Sequence, residues 1–172
     1  MACYGTSQPG SAPARPSPVP TKLPAMADVA DFDRLVGREH GLSVVSTLRA
    51  DQTIQATVVN CGVLDHPVRG VPVIGFTTRG NSRKLANLRA RPRLAATVRA
   101  DWEWVTAEGL TELAGPDDPL DGLGPDGLRL LLRAVFRAAG GSHEDWDTYD
   151  WVMAEERRAA VLMIPERIYS NR

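Results

Sequence analysis

Short segments of β character, joined mostly by turns too brief for a crossover helix, constrain this fold more than any other feature of the chain. Residues 42–48 and 54–62 flank Arg49-Ala-Asp-Gln-Thr53, and together they read as a hairpin. A connection over 63–71 carries Asp65-His-Pro67 and Gly70, and the next strand is expected over 72–78. Further strands are expected over 94–99 and 103–113. The last alternates strictly, with Val105, Ala107, Gly109, Thr111 and Leu113 on one face and Trp104, Thr106, Glu108, Leu110 and Glu112 on the other. Residues 160–164 form a closing strand, Pro165 turns the chain, and 167–170 adds a short piece. Parallel neighbours need connections of roughly a dozen residues or more. There is no βαβ alternation and no internal repeat, so the pairing is expected to be antiparallel, in a closed β-barrel with peripheral helices.

The helices are legible from apolar spacing. Phe32, Leu35 and Val36 mark one over 27–40, stopped by Gly41. Leu128, Leu131, Leu132, Val135 and Phe136 mark another over 126–139, and Ser142 offers a cap for a third over 143–158. Residues 1–26 are rich in Pro, Ser, Ala and Gly and are expected to be a disordered leader, with Met26 an alternative beginning. That leaves 27–172 as a single domain. A formal net charge of −1 argues against general nucleic-acid affinity. The two cysteines, Cys3 and Cys61, and the three histidines have no metal-ligand spacing. No apolar run reaches the ~20 residues of a membrane span, and nothing marks the chain for secretion, so a cytoplasmic, metal-free protein is expected.

One stretch stands apart. From Arg79 to Arg93 there are six basic side chains and no acidic one, directly after the strand that ends in Thr77-Thr78. Within it, Gly80-Asn81-Ser82 opens a short cationic helix that Pro92 ends. Hydroxyls, backbone N–H groups at a helix start, and an Arg83-Lys84 pair are the parts of an anion site. A solvated helix face explains the same charges, and Arg89, Arg91 and Arg93 are read that way. Trp102 and Trp104 suit either the wall of a flat heterocycle or a subunit contact. Gln55, Thr57 and Asn60 suit either the edge of a ring or the wet face of a strand. Asp117-Asp118 and Glu144-Asp145 read as helix-entry charges. Dinucleotide, Walker, nucleophile-elbow and zinc-protease motifs are all absent.

The order of Thr77-Thr78, Ser82-Arg83-Lys84-Leu-Ala-Asn87-Leu88-Arg89-Ala-Arg-Pro92-Arg93 and Trp104-Val-Thr-Ala-Glu108-Gly109-Leu-Thr-Glu-Leu113 resembles the split-barrel flavin and deazaflavin enzymes related to pyridoxamine 5′-phosphate oxidase. The ending, with His143-Glu-Asp-Trp146-Asp-Thr-Tyr149, Arg157-Arg158 and Val161-Leu-Met-Ile-Pro165, is similar to the branch that uses the deazaflavin F420. The resemblance implies a mainly β, six-stranded antiparallel split β-barrel, assembled as a homodimer with cofactor at the subunit interface. It implies that Thr77, Thr78, Arg83 and Lys84 hold the cofactor phosphate, and that Ser82 and Asn87 of the same motif also bind the cofactor. The strand carrying Gln55, Thr57, Val59 and Asn60 would line the tricyclic ring, and Trp102 or Trp104 would face it from the neighbouring subunit. The implied activity is hydride transfer between F420 and an electron-poor small molecule, with no nucleic-acid or membrane partner and no catalytic side chain assigned. FMN on the same barrel, or a non-catalytic F420, flavin or haem carrier, are the alternatives. The connection over 63–71 is longer than the family's compact form and is expected to shape a substrate mouth.

Overall fold

The computed structural model describes residues 27–172, and the expected leader lies outside the described residues. Helix α1 (Val29–Arg38) opens at Asp28, whose carboxylate accepts from the Asp31 N–H while the Asp31 carboxylate accepts from the Asp28 N–H. This reciprocal cap satisfies two otherwise free donors, and the helix turns Phe32, Leu35 and Val36 into the core. Strands β1 (Leu42–Leu48) and β2 (Ile54–Asn60) form the expected hairpin, in register from Leu42 opposite Asn60 to Leu48 opposite Ile54.

The strand expected over 54–62 breaks at Cys61. Its N–H turns to the Gly41 carbonyl at 2.7 Å, and the chain then pairs with a new neighbour. Strand β3 (Gly62–Asp65) runs antiparallel to β4 (Pro72–Thr78), so the connection expected over 63–71 begins as strand. After α2 (Arg83–Ala90) come β5 (Arg93–Ala100) and β6 (Glu103–Ala114), then α3 (Pro125–Ala138), α4 (Trp146–Glu155) and β7 (Ala159–Ser170). The last is one strand, not two pieces separated by Pro165. A register shift opposite Glu108 and Gly109 makes a bulge at the proline, where the ladder is already interrupted.

The sheet order is β2-β1-β5-β6-β7-β4-β3, antiparallel throughout. It has seven strands, not the expected six, because Cys61 divides one expected strand into two that pair at opposite edges. Nor is the ladder closed as expected. The two edges, β2 and β3, are consecutive in the chain, so the curled sheet is joined at its ends by the covalent link Asn60-Cys61-Gly62.

Curling creates two cores. Inside, Val45, Ile74, Phe76, Ala96, Val98, Val105, Val161 and Met163 pack with residues of α1 and with Leu85 and Leu88 of α2. Outside, α3 and α4 cover Val73, Ala114, Ala160 and Leu162 with Leu131, Leu132, Val135, Tyr149 and Met153. Each such fully buried aliphatic side chain contributes about 1.5–3 kcal/mol. The end of α3 lies so close to the Cys61 link that a Cβ on Gly62 would meet the Ala138 carbonyl at 2.1 Å. Among the described residues no helix is long and apolar enough to cross a membrane.

The β3–β4 turn is tied down by His66, which is buried. Its Nδ1 accepts from the Val68 and Arg69 backbone N–H groups, both at 3.2 Å, which leaves the ring proton on Nε2 to donate to Glu112 of β6 at 2.8 Å. Arg69 closes the arrangement by pairing with the same carboxylate. Burial, helped by the Arg69 charge, holds the His66 pKa below its ordinary 6.5. The unfolded chain therefore takes up the proton first as pH falls. The stability that neutral His66 supplies is complete above pH 6.5 and is lost as pH falls from there through the folded-state value. Chemical denaturation of His66→Ala should show a loss of about 1–3 kcal/mol at neutral pH, with a shallower acid dependence than the parent; an unchanged pH profile would refute the assignment.

Candidate functional site

The cationic stretch is built on an interlocked turn. Thr78 ends β4 and donates to Ser82 Oγ at 2.9 Å, and Ser82 Oγ accepts from the Leu85 N–H at 3.2 Å as the N-cap of α2. Asn87, buried on the inner face of α2, donates from Nδ2 to Thr47 Oγ1 and to Gln55 Oε1, each at 3.0 Å. Thr78, Ser82, Asn87 and Gln55 thus fasten α2 to the turn and to the β1–β2 hairpin. Their hydrogen bonds position neighbours.

Arg83 and Lys84 are different. Neither has a carboxylate or hydrogen-bond partner among the described residues. Arg83 is exposed, while Lys84 is part-buried with Nζ 5.6 Å from the centroid of the Phe76 ring. Burial lowers the Lys84 pKa, and Cys61 lies close to it. The Cys61 thiol itself is pushed up to about 12 by burial, so it stays neutral and leaves the ammonium uncompensated. A part-buried cation without an anion is costly, and it is the kind of group that a bound phosphate completes. The other arginines of the stretch are all engaged. Arg89 forms a two-pronged pair with Asp118 at 2.7 and 2.8 Å, Arg91 donates to the Leu48 carbonyl, and Arg93 pairs with Glu166 at 2.7 Å. Asp117 pairs with Arg157. Asp117 and Asp118 are therefore arginine partners in a turn, whereas Asp145 does cap α4.

A cleft of about 410 Å³ opens beside this stretch, at the split in the sheet. Val59 and Asn60 from β2 and Thr77 from β4 line one side; Val135, Phe136, Gly140 and Gly141 at the end of α3 line the other, with His40 and Arg158. Asn60 Nδ2 holds the rim by donating to the His40 carbonyl at 2.9 Å. Thr57, three residues before Asn60 on β2, has a buried Oγ1 with no partner among the described residues. The sequence pattern did not indicate His40, Phe136, the Gly140-Gly141 turn or Arg158, because residues this far apart in the chain meet only through the sheet's curl. Trp102 is not in the cleft: it sits at the tip of the β5–β6 hairpin, 86% exposed. Trp104 packs edge-on against Tyr169, with centroids 6.1 Å apart. The segment 63–71 lies at a separate cavity bounded by His66, Arg69 and Glu112.

The polarity of the hairpin is inverted. Gln55 and Thr57 stand opposite Thr47 and Val45 on the inner side, while Ile54 and Val58 face outward, 68% and 64% exposed. Leu42, Val44 and Leu48 of β1 are exposed on the same outer face. The expected wet face of β2 is thus its apolar one.

No protein-family model matches the chain. Solved structures do. A conserved hypothetical protein from Mycobacterium tuberculosis superposes with a TM-score of 0.60 at 18% identity, covering 88% of this chain and 89% of its own. A pyridoxamine 5′-phosphate oxidase-related, FMN-binding protein from Nostoc punctiforme gives 0.58 at 14% identity, covering 81% of each chain. The fold is the split β-barrel of the pyridoxamine 5′-phosphate oxidase-like proteins. An F420 reductase shares this split barrel with a TM-score of 0.54 at 18% identity, over 79% of this chain and 94% of its own. Haem-binding proteins share it as well.

The two classes of residue in the split barrel's cationic stretch separate in a stability measurement. Urea denaturation of Asn87→Ala should show a loss of about 1–3 kcal/mol, since buried partners are left unsatisfied. Arg83→Ala should fall within about 0.5 kcal/mol of the parent. Equal losses would mean that Arg83 is structural.

Proposed function

We propose that this protein is an F420-dependent oxidoreductase, working as a homodimer and transferring a hydride between the deazaflavin and an electron-poor small molecule. The observation that carries the reading is Lys84: a part-buried ammonium with no anionic partner among the described residues, set next to the link whose Asn60 lines the cleft. A phosphate-bearing cofactor supplies the missing anion. Arg83 adds an exposed guanidinium free of carboxylates, and Thr77 lines the cleft. The scaffold of Thr78, Ser82 and Asn87 fixes α2, and with it the backbone of Arg83 and Lys84, after the end of β4. Val59, with the end of α3 opposite, offers the apolar contact that a flat ring needs.

When bound, the deazaflavin supplies the hydride chemistry. The residues around the cleft bind, orient and exclude water. Gln55 keeps its amide N–H groups available towards the inner side of β2, and the orphan Thr57 hydroxyl lies on the same side. FMN offers the same ring-plus-phosphate combination, and the choice between them is the first thing to measure. Fluorescence titration should give a lower dissociation constant for F420 than for FMN; the reverse order would make the protein a flavin enzyme. Lys84→Ala combined with Arg83→Ala should weaken the preferred cofactor at least tenfold, about 1.4 kcal/mol. Unchanged affinity would remove the phosphate assignment.

The subunit contact belongs to the outer face of the β1–β2 hairpin. Ile54 stands opposite Leu48 and Val58 opposite Val44, giving an apolar surface of cross-strand pairs on a sheet whose other face is already the core. Exposed patches of this kind mark interaction sites, and a second copy of the same face is the partner that a two-fold contact requires. In light scattering the parent should be a dimer at micromolar concentration and Val58→Asp a monomer. A monomeric parent would contradict the assembly.

A further inference from the structure

Among the described residues Arg158 is the one arginine or lysine that lines the cleft, and its surroundings suit it to bind an anion. It immediately precedes β7, in which Ala159 pairs with Thr78 and Ala160 with Thr77. Side chains two apart on a strand share a face, so Arg158 comes to the cleft on the side that Thr77 faces. The chain is held there firmly. Arg157 adopts φ 48° just after α4, and the Arg158 N–H closes back on the Met153 carbonyl at 2.9 Å. The loop after β4 packs against this reversal so tightly that a Cβ on Gly80 would lie 2.6 Å from the Arg157 carbonyl oxygen. The two neighbours thus have separate tasks, since Arg157 is taken by Asp117 outside the cleft.

The pairing of Arg158 is one-sided. Its Nε donates to Glu156 Oε2 at 2.6 Å, while Glu156 Oε1 is engaged by Arg79 at 2.7 Å. One carboxylate therefore serves two guanidinium groups. The contact through Nε uses one of the five N–H donors of an arginine. The two Nη groups, with the other four, have no acceptor among the described residues. The side chain is only 26% exposed, and it borders both the cleft and a second cavity lined by Leu128, Asp150 and Met153. A guanidinium anchored at Nε, with its forked end left open at a cleft, is arranged to take two oxygens of one anion.

We propose that Arg158 binds the cofactor phosphate from the β7 side, through the open fork of its guanidinium. This rests on the cofactor-phosphate reading of the cleft and extends it to a residue outside the cationic stretch. Glu156 fixes the Nε end and limits the freedom of the side chain before the ligand arrives.

The test compares ligands with and without the phosphate-bearing arm, the FMN and riboflavin pair differing in the phosphate alone. The protein is titrated with F420 and with its phosphate-free deazaflavin ribityl counterpart, and in parallel with FMN and riboflavin. Arg158→Ala should weaken F420 or FMN, whichever the parent prefers, at least tenfold, and leave the phosphate-free counterpart within twofold. Arg158→Lys keeps the charge but not the fork and should fall between the parent and Arg158→Ala. It also serves as the folded comparison if Arg158→Ala is unstable. Equal loss for both members of a ligand pair would show a packing role and overturn the proposal. No loss in Arg158→Ala, with a loss in the Arg83→Ala/Lys84→Ala double variant, would overturn it while leaving the cofactor reading intact. No loss in either variant would overturn both.

Discussion

The link Asn60-Cys61-Gly62 carries the chain from one edge of a seven-stranded sheet to the other, and the placement of the cleft follows from it. A sheet edge exposes unpaired N–H and C=O groups. Here the two edges are brought together by one residue of chain, with the Cys61 N–H satisfied by Gly41. The curl that this requires packs β1 and β4 residues into one interior and leaves a split where the edges part. Helix α3 ends against that split because Gly62 has no side chain to hold it off. The cleft is thus a consequence of how the sheet is joined, and its walls are the ends of elements: β2, β4 and α3.

Charge is distributed to match. Most of the arginines with resolved contacts are paired with acids on the surface, in exposed bridges of the kind worth about 0–1 kcal/mol each. They hold turns together, as Arg89 with Asp118 and Arg157 with Asp117 show. Against that background, Arg83 and Lys84 have no acid partner among the described residues, and Arg158, held by Glu156 through Nε alone, lines the cleft at the split. Neighbouring polar residues that looked equally suited to a ligand are occupied in the scaffold. Asn87 satisfies Thr47 and Gln55. Thr78 and Ser82 satisfy each other and the start of α2. The uncharged members of the candidate site hold the turn and α2 in place, and its charged members are left for a ligand under the proposed reading.

Much of this was legible in the sequence. Strand periodicity placed β1, β4, β5 and β6, and the apolar stripes placed α1 and α3, because each forms from local pattern and buries the face that the pattern marks. The break at Cys61 was not legible, since the apolar character of 54–62 runs straight through it and only the choice of pairing partner interrupts the strand. Pro165 misled in the opposite direction, as a bulge in the partner register accommodates it within β7. The inverted polarity of β2 was hidden for a related reason: alternation reveals that two faces differ, not which of them is turned inward. Among the site residues, the Thr77 to Asn87 segment announced itself by composition. Arg158 stood out only as half of the Arg157-Arg158 pair in the ending, with nothing in the sequence to assign it a role. Its position acquires meaning only when β7 is laid beside β4.

A crystal structure of the protein with F420 bound would test the central claim most directly. The account predicts electron density for the phosphate in the cleft at the split, contacted by Lys84 and the Thr77 hydroxyl, with the ring beside Val59. A phosphate held elsewhere on the surface, with Lys84 still unpaired, would contradict it.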